Sequence, residues 1–375
     1  MTKVLVIGGG FAGCCAAHLL SEKKGWQVTL VETAPFLGDG VKTFFHGGHP
    51  YTYGPRHFLT REERLFNFLN QYVPMRRIEH EQSNFTYVER DGRFYNYPFH
   101  VDDIPLMPEK GQICAELAQA KEDVSGAPNF EEYIVGSIGP TLYHKFFNQY
   151  SKKMWLIQSN TELDGEYLGW RAWRPKRYTL QTGAKAAWTG AISAFPIKNN
   201  GYDDYFEIAT RNTTVRLKTT IEAYDIENYR VKIGGNWETY DLIISTSSPE
   251  TIMNNAFGPL RWIGREFFKI VLPVEHAFPP NVYFLYYAGD EPYTRIVEYK
   301  KFYRYQSPST LICVEIPSHK NKLYPFPGKK DQEIARKYFD AMPAKVFSIG
   351  RAGTYRYIDV DDIIAQCLEL AEKLK

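Results

Sequence analysis

The sequence predicts a mixed α/β fold that opens on a Rossmann-type unit, and three observations carry that expectation. Residues 3–7 (KVLVI) form a short β-branched apolar run ending in Gly8-Gly9-Gly10. Residues 11–20 follow with helical spacing, and residues 27–32 (QVTLVE) are a second apolar run, so the N-terminus reads β-α-β. At the other end, residues 346–351 are a strand entering a glycine turn. A helix follows with Ile363, Ile364, Cys367, Leu368, Ala371 and Leu374 on one side. Between these ends lie a helical stretch and a returning series of strands. The unit built by the two ends is therefore expected to be discontinuous in the chain.

The intervening elements follow in order. Thr60 and Glu63 stand as a capping box before a helix carrying Leu65, Phe68, Leu69 and Tyr72 on one face. Alternating aromatics over residues 84–99, with Asp91-Gly92 between them, predict a hairpin. Residues 103–162 read as helices. Tyr143, Phe146, Phe147 and Tyr150 fall there at i, i+3, i+4 and i+7, a stripe that period alone assigns to a bundle core. A loop follows Arg177, then a short helix near residues 202–209. Strands are expected around residues 215–217, 231–233 and 242–246, and again at 281–287, 294–298 and 309–316.

Composition narrows the function. With 45 Lys+Arg against 43 Asp+Glu, the 375-residue chain carries a formal net charge of +2. Bulk electrostatic capture of nucleic acid or an acidic membrane is not expected. No apolar run approaches the roughly 18 residues needed to span a bilayer, so no membrane insertion is expected. The first apolar stretch runs straight into a glycine turn and lacks the layout of a signal peptide. The five cysteines (Cys14, Cys15, Cys114, Cys313, Cys367) are scattered, without C-x-x-C spacing. They fit buried thiols in a reducing cytoplasm and offer no metal framework. Aromatic residues make up 15% of the chain, enough to stack on a flat ligand as well as to pack a core. A homodimer is left open.

Gly8, Gly10 and Gly13, with Phe11 and Ala12 between them, satisfy G-x-G-x-x-G after a strand and before a helix. Glu32 closes the second run 19 residues beyond Gly13. In that context the motif has a mechanism. Gly8 makes the tight turn, Gly10 lets backbone approach a pyrophosphate, and Gly13 lets the helix touch the strand. The helix N-terminus meets the phosphates with free N–H groups, and Glu32 accepts from a ribose diol. An adenine dinucleotide is expected, FAD or NAD. The distant Gly350-Arg351 turn and the helix beginning near Asp359 and Val360 favour FAD. Such a helix would aim N–H groups at a flavin carbonyl where charge develops on reduction.

At this point the residues resemble the UDP-galactopyranose mutase family, over nearly the whole chain. The likeness is sharpest at the glycine turn with Glu32, at Tyr53-Gly54-Pro55, and at Tyr150 with Lys152, Lys153 and Trp155. It is equally sharp at Pro292 to Glu298 (PYTRIVE) and at Gly350-Arg351 with Tyr355, Tyr357 and Asp359. The resemblance implies a Rossmann FAD-binding domain with an inserted helical bundle and an antiparallel β-sheet domain. The division expected is residues 1–75, 185–255 and 330–375 for the FAD-binding domain and 103–165 for the helices. Residues 76–102, 166–184 and 256–329 make up the sheet domain. It further implies an isomerase that interconverts the pyranose and furanose forms of a nucleotide sugar, such as the galactofuranose used in polysaccharide biosynthesis. Reduced FAD, reduced by NADH or NADPH, acts as nucleophile at the anomeric carbon, so no side-chain general base is required.

Carried over by position, Arg295 and Arg351 look like the family's diphosphate arginines, and Arg177 like the arginine of a mobile loop. Tyr324, Tyr355 and Tyr357 look like phenols that contact phosphate or sugar. Phe147, Tyr150 and Trp155 look like the wall of the nucleotide site. Asp39, Gly350, Arg351, Asp359 and Val360 join the glycine turn as cofactor contacts. Three departures stand out. Where the family commonly has G-P-H-x-F-H-T, this chain has Gly54-Pro55-Arg56-His57-Phe58-Leu59-Thr60. Its Gly-Gly-Asn turn is Gly38-Asp39-Gly40, and its Gln-Trp-Gly is Met154-Trp155-Leu156. Arg56, longer and permanently charged, suits an added carbonyl or carboxylate oxygen on the substrate, such as the amide of UDP-N-acetylgalactosamine, with UDP-galactose as the plainer alternative. His46, His49 and His57 are expected to be structural. Two rivals share the dinucleotide fold: a flavin-dependent oxidoreductase of the amine-oxidase type, and a non-catalytic binder like the GDP dissociation inhibitors.

Overall fold

The computed structural model describes residues 1–79, 81–164, 176–182 and 191–374. A five-stranded parallel sheet forms from distant segments in the order Thr214–Arg216, Trp26–Val31, Thr2–Ile7, Leu242–Ser245, Val346–Ser348. Every neighbouring pair in it runs parallel. Strands of this kind are covered on both faces, which is why Val4, Leu5, Val6, Ile243 and Ile244 have no exposed surface. The Phe11–Ser21 helix covers one face, packed against the C-terminal Val360–Lys373 helix and the Asp203–Thr210 helix. The N- and C-terminal thirds of the chain thus share one core.

A second sheet has seven strands in the order Tyr324–Pro325, Trp262–Leu272, Thr310–Ser318, Arg295–Glu298, Val282–Tyr287, Ser83–Val88, Arg93–Asn96. It is antiparallel except where Val282–Tyr287 runs parallel to Ser83–Val88, so it is a mixed sheet. Its register aligns Thr86, Tyr286, Arg295 and Glu315 as successive cross-strand partners. The longest strand, Trp262–Leu272, has no counterpart in the sequence reading. Helices Lys110–Ala118, Phe130–Ile138, Pro140–Phe146 and Asn148–Trp155 pack into a separate apolar cluster beside this sheet.

Two local expectations are corrected. The Glu63–Asn70 helix is capped at Glu62 without a side-chain bond, so Thr60 and Glu63 form no capping box. Thr60 instead ends the Phe58–Thr60 strand, paired with Ile192, and Glu63 reaches Arg77 at 2.7 Å. The aromatic stripe is interrupted at Phe147, where one helix ends and the next begins. Tyr143 lies in the bundle core with its hydroxyl 2.8 Å from Glu131, whereas Phe147 and Tyr150 are only partly buried. Residues 173–175, just before Arg177 of the expected mobile loop, and much of the 166–184 segment lie outside the described residues.

Candidate active site

Where the parallel sheet, the mixed sheet and the helices meet, they enclose one cavity of about 870 Å³. Its cofactor end is built by the glycine turn. Gly8 has φ +96°, and a Cβ there would lie 2.1 Å from Thr246 Oγ1. Glu32 is locked below the turn, accepting from the Gly9 N–H at 2.6 Å and the Ala34 N–H at 2.7 Å. Gly8, Gly13 and Glu32 shape the turn from behind, while Gly10, Phe11 and Ala12 face the cavity. The Phe11–Ser21 helix begins with no side-chain cap and no acid in its first turn, so its N–H groups stay available to an anion. The Gly38-Asp39-Gly40 turn lies against it, with Gly38 N–H donating to the Gly9 carbonyl at 2.8 Å. Asp39 has φ +40°, a left-handed conformation that Asp tolerates. Burial, with Glu32 nearby, raises its carboxyl pKa. Gly350, Asp359 and Val360 line the cavity as well. These features fit a bound dinucleotide.

The cavity is strongly basic. Six arginines and one lysine line the cavity against three carboxylates, although the chain as a whole carries only +2. That imbalance suits a diphosphate. Arg295 stands on the sheet in a bidentate pair with Glu315 (Nε–Oε1 3.1 Å, Nη2–Oε2 2.8 Å), and its Nη1 is 3.4 Å from the Tyr286 hydroxyl. Burial alone would lower its pKa, but the Glu315 carboxylate holds it well above the ordinary value. Arg351 donates to the Ile358 carbonyl at 2.8 Å and to Asp359 at 3.1 Å, with Tyr324 and Tyr357 flanking its guanidinium at 5.1 and 5.0 Å. Arg265, absent from the sequence reading, lies 4.7 Å from the Tyr324 ring and is 2% exposed. Burial raises the Tyr324 pKa, and Arg265, Arg56, Arg351 and Arg295 together bring it below its usual value. A phenol ringed by cations is a hydrogen-bonding partner for phosphate oxygen.

The remaining wall is aromatic. Phe147, Tyr150 and Trp155 line it, joined by Phe99, Tyr97, Tyr178 and Tyr286, which sequence reasoning did not nominate. Tyr97 and Tyr286 have ring centroids 3.9 Å apart, and Tyr150 meets Tyr286 edge-on at 6.0 Å. Arg177 is half-buried at the rim. Tyr355 is a correction: it is fully buried behind the wall, donating to the Arg261 carbonyl at 2.6 Å and accepting from Phe326 N–H at 3.2 Å. It braces the segment that carries Tyr357 and touches no ligand space.

His57 packs against Phe302 and Phe284 with both ring nitrogens sealed from solvent and unpaired within the described residues. Burial lowers its pKa to about 4. Between that value and the unfolded histidine value near 6.5, the unfolded chain binds more protons, so stability falls as pH drops through this window. The loss is on the order of 3 kcal/mol by pH 4. His57→Phe is expected to lack this acid slope and to be more stable than the parent at pH 7, as urea denaturation across pH 7.5–4 would reveal. Equal slopes in the two proteins would mean that the ring is not held neutral.

The UDP-galactopyranose mutase family model matches residues 145–357, and an NAD(P)-binding Rossmann-like domain model matches residues 6–72. The chain is 25% identical to the "Probable UDP-galactopyranose mutase" of Klebsiella pneumoniae, covering 99% of this chain and 94% of that protein. It is 24% identical to the dTDP-fucopyranose mutase of Escherichia coli, covering 99% and 98%. Its fold matches a crystal structure of reduced UDP-galactopyranose mutase with a TM-score of 0.82 at 18% identity, over 100% of this chain and 95% of that one.

Proposed function

This chain belongs to the UDP-galactopyranose mutase family, and from that premise we propose that the cavity between its sheets and helices holds FAD at the glycine turn and a nucleoside-diphosphate hexose at the arginines. The reaction is the interconversion of the pyranose and furanose forms of the sugar. The observation that carries the assignment of roles is the make-up of the cavity, which is lined both by a dinucleotide cradle and by guanidinium groups gathered around Tyr324. A sugar joined to the diphosphate would lie between the two. Reduced FAD, when bound, supplies a nucleophilic electron pair for the anomeric carbon.

The chain's own residues do the rest. Arg295 and Arg351 hold the diphosphate and offset the charge that grows on it as the anomeric bond breaks. Arg265 adds a third buried cation. Glu315 and Asp359 fix the planes of the two partnered arginines, so little reorganisation is needed during reaction. Phe147, Tyr150 and Trp155 offer faces to the base, and Arg177 at the rim closes over the bound substrate and excludes water. The relatives act on a UDP sugar and a dTDP sugar, so both nucleotides belong in the test.

The experiment gives the dithionite-reduced protein UDP-galactose, UDP-N-acetylgalactosamine and dTDP-fucose in turn. A furanose product should form from at least one, only after prior reduction, and without reductant consumed per turnover. Oxygen or electron-acceptor consumption in proportion to product would instead establish the amine-oxidase-type alternative. We further propose that NADH or NADPH supplies the reducing equivalents, which anaerobic bleaching of the flavin band by either nucleotide would test.

A further inference from the structure

Arg56 lines the cavity and, like Arg265, has no carboxylate partner among the described residues. Its Nε donates to the Gly40 carbonyl at 2.9 Å, which fixes the guanidinium plane. Neither Nη group has a hydrogen-bond partner or an ion pair among the described residues, and the side chain lines the cavity. Arg295 and Arg351, by contrast, are each paired with a carboxylate. Asp39 is near enough to sense the Arg56 charge but forms no bridge with it. The anchor also has a definite place: Gly38 to Gly40 is stacked on the dinucleotide turn, bridged at Gly10 and Gly38. The free fork is thus fastened to the cofactor's cradle.

From this we infer that Arg56 is a cofactor-tuning residue, its two free Nη groups donating to the edge of the flavin ring on which negative charge gathers upon reduction. This rests on the assignment of FAD to the cavity. A permanent cation there stabilises reduced flavin over oxidised and keeps the enzyme in the state its reaction needs. A histidine at this position would be neutral for much of the physiological range and could not supply that charge.

The test is the two-electron midpoint potential of the FAD-loaded protein at pH 7, by dye-coupled reductive titration. Arg56→Met should lower the reduced-to-oxidised ratio at fixed potential roughly tenfold, the scale of a charge-assisted hydrogen bond, or about 30 mV. Arg56→Lys, which keeps the charge and loses the fork, should recover part of the shift. FAD affinity and UDP affinity are measured on the same samples. An unchanged potential in both variants overturns the inference. Weaker FAD binding alone would make Arg56 a pyrophosphate anchor, and a changed preference between UDP-N-acetylgalactosamine and UDP-galactose alone would return it to the sugar. Wild-type protein that holds FAD yet forms no furanose would sink the mutase assignment and leave this measurement intact.

Discussion

Arg295→Ala is expected to lose turnover by about 10²–10³-fold or more and to be destabilised by roughly 3–5 kcal/mol at once. The first effect follows from its position in the cavity among the guanidinium groups near Tyr324. The second follows from its partner. Glu315 is 1% exposed and gives both oxygens to Arg295, so truncation strands a carboxylate inside the sheet. A single alanine variant therefore mixes catalysis with folding. The pair separates them: Arg295→Met with Glu315→Gln should regain most of the stability in urea denaturation and none of the turnover. A single variant that is both stable and active would remove Arg295 from the site. Arg351→Ala is a less clean probe, because Arg351 also ties the Ile358 carbonyl and Asp359 and should disturb flavin binding with it.

What the sequence disclosed was local chemistry, and what it concealed depended on contacts distant in the chain. The glycine turn is legible because a buried strand, a positive-φ glycine and an uncapped helix start must follow one another within a few residues. Strand Trp262–Leu272 is not. Its apolar and charged residues do not alternate cleanly, Phe268, Ile270 and Val271 are partly exposed, and its pairing with Thr310–Ser318 is far along the chain. Missing that strand meant missing Arg265, which has no motif around it.

The same cause explains the false capping box. Thr60 has a cap's sequence but is drawn into a ladder by Ile192, some 130 residues away. Tyr355 and Tyr357 look equivalent at a spacing of two, as they would be on a strand. Tyr355 has φ +48°, so the chain turns there and sends the two rings to different places. Bundle core and ligand wall share one periodicity, and only the break at Phe147 parts Tyr143 from Tyr150. No spacing in the sequence could distinguish Arg56 with a free fork from Arg56 paired with an acid.

The glycine turn itself yields the other large effect, because its two inner glycines are required for different reasons. At Gly13 a Cβ would stand 1.8 Å from the Gly8 carbonyl oxygen and 3.4 Å from Val6 Cγ1. Both atoms belong to the strand and its turn, so relief requires the helix to move off the sheet. Alanine at the third glycine is accepted in some dinucleotide folds. Here it should cost about 1–3 kcal/mol or more of apoprotein stability and abolish FAD retention, since the helix N–H groups move with the helix. At Gly10, φ is −69°, a value any residue adopts, and the nearest atom to a Cβ would be Asp39 Cβ at 3.6 Å. Gly10→Ala should therefore fold as well as the parent and still lose FAD affinity by about tenfold or more, because its methyl group projects where the pyrophosphate must approach. Thermal unfolding of the apoproteins and FAD titration of the same samples separate the two. Gly10→Ala that retains FAD as tightly as the parent would mean that the cofactor does not lie against this turn.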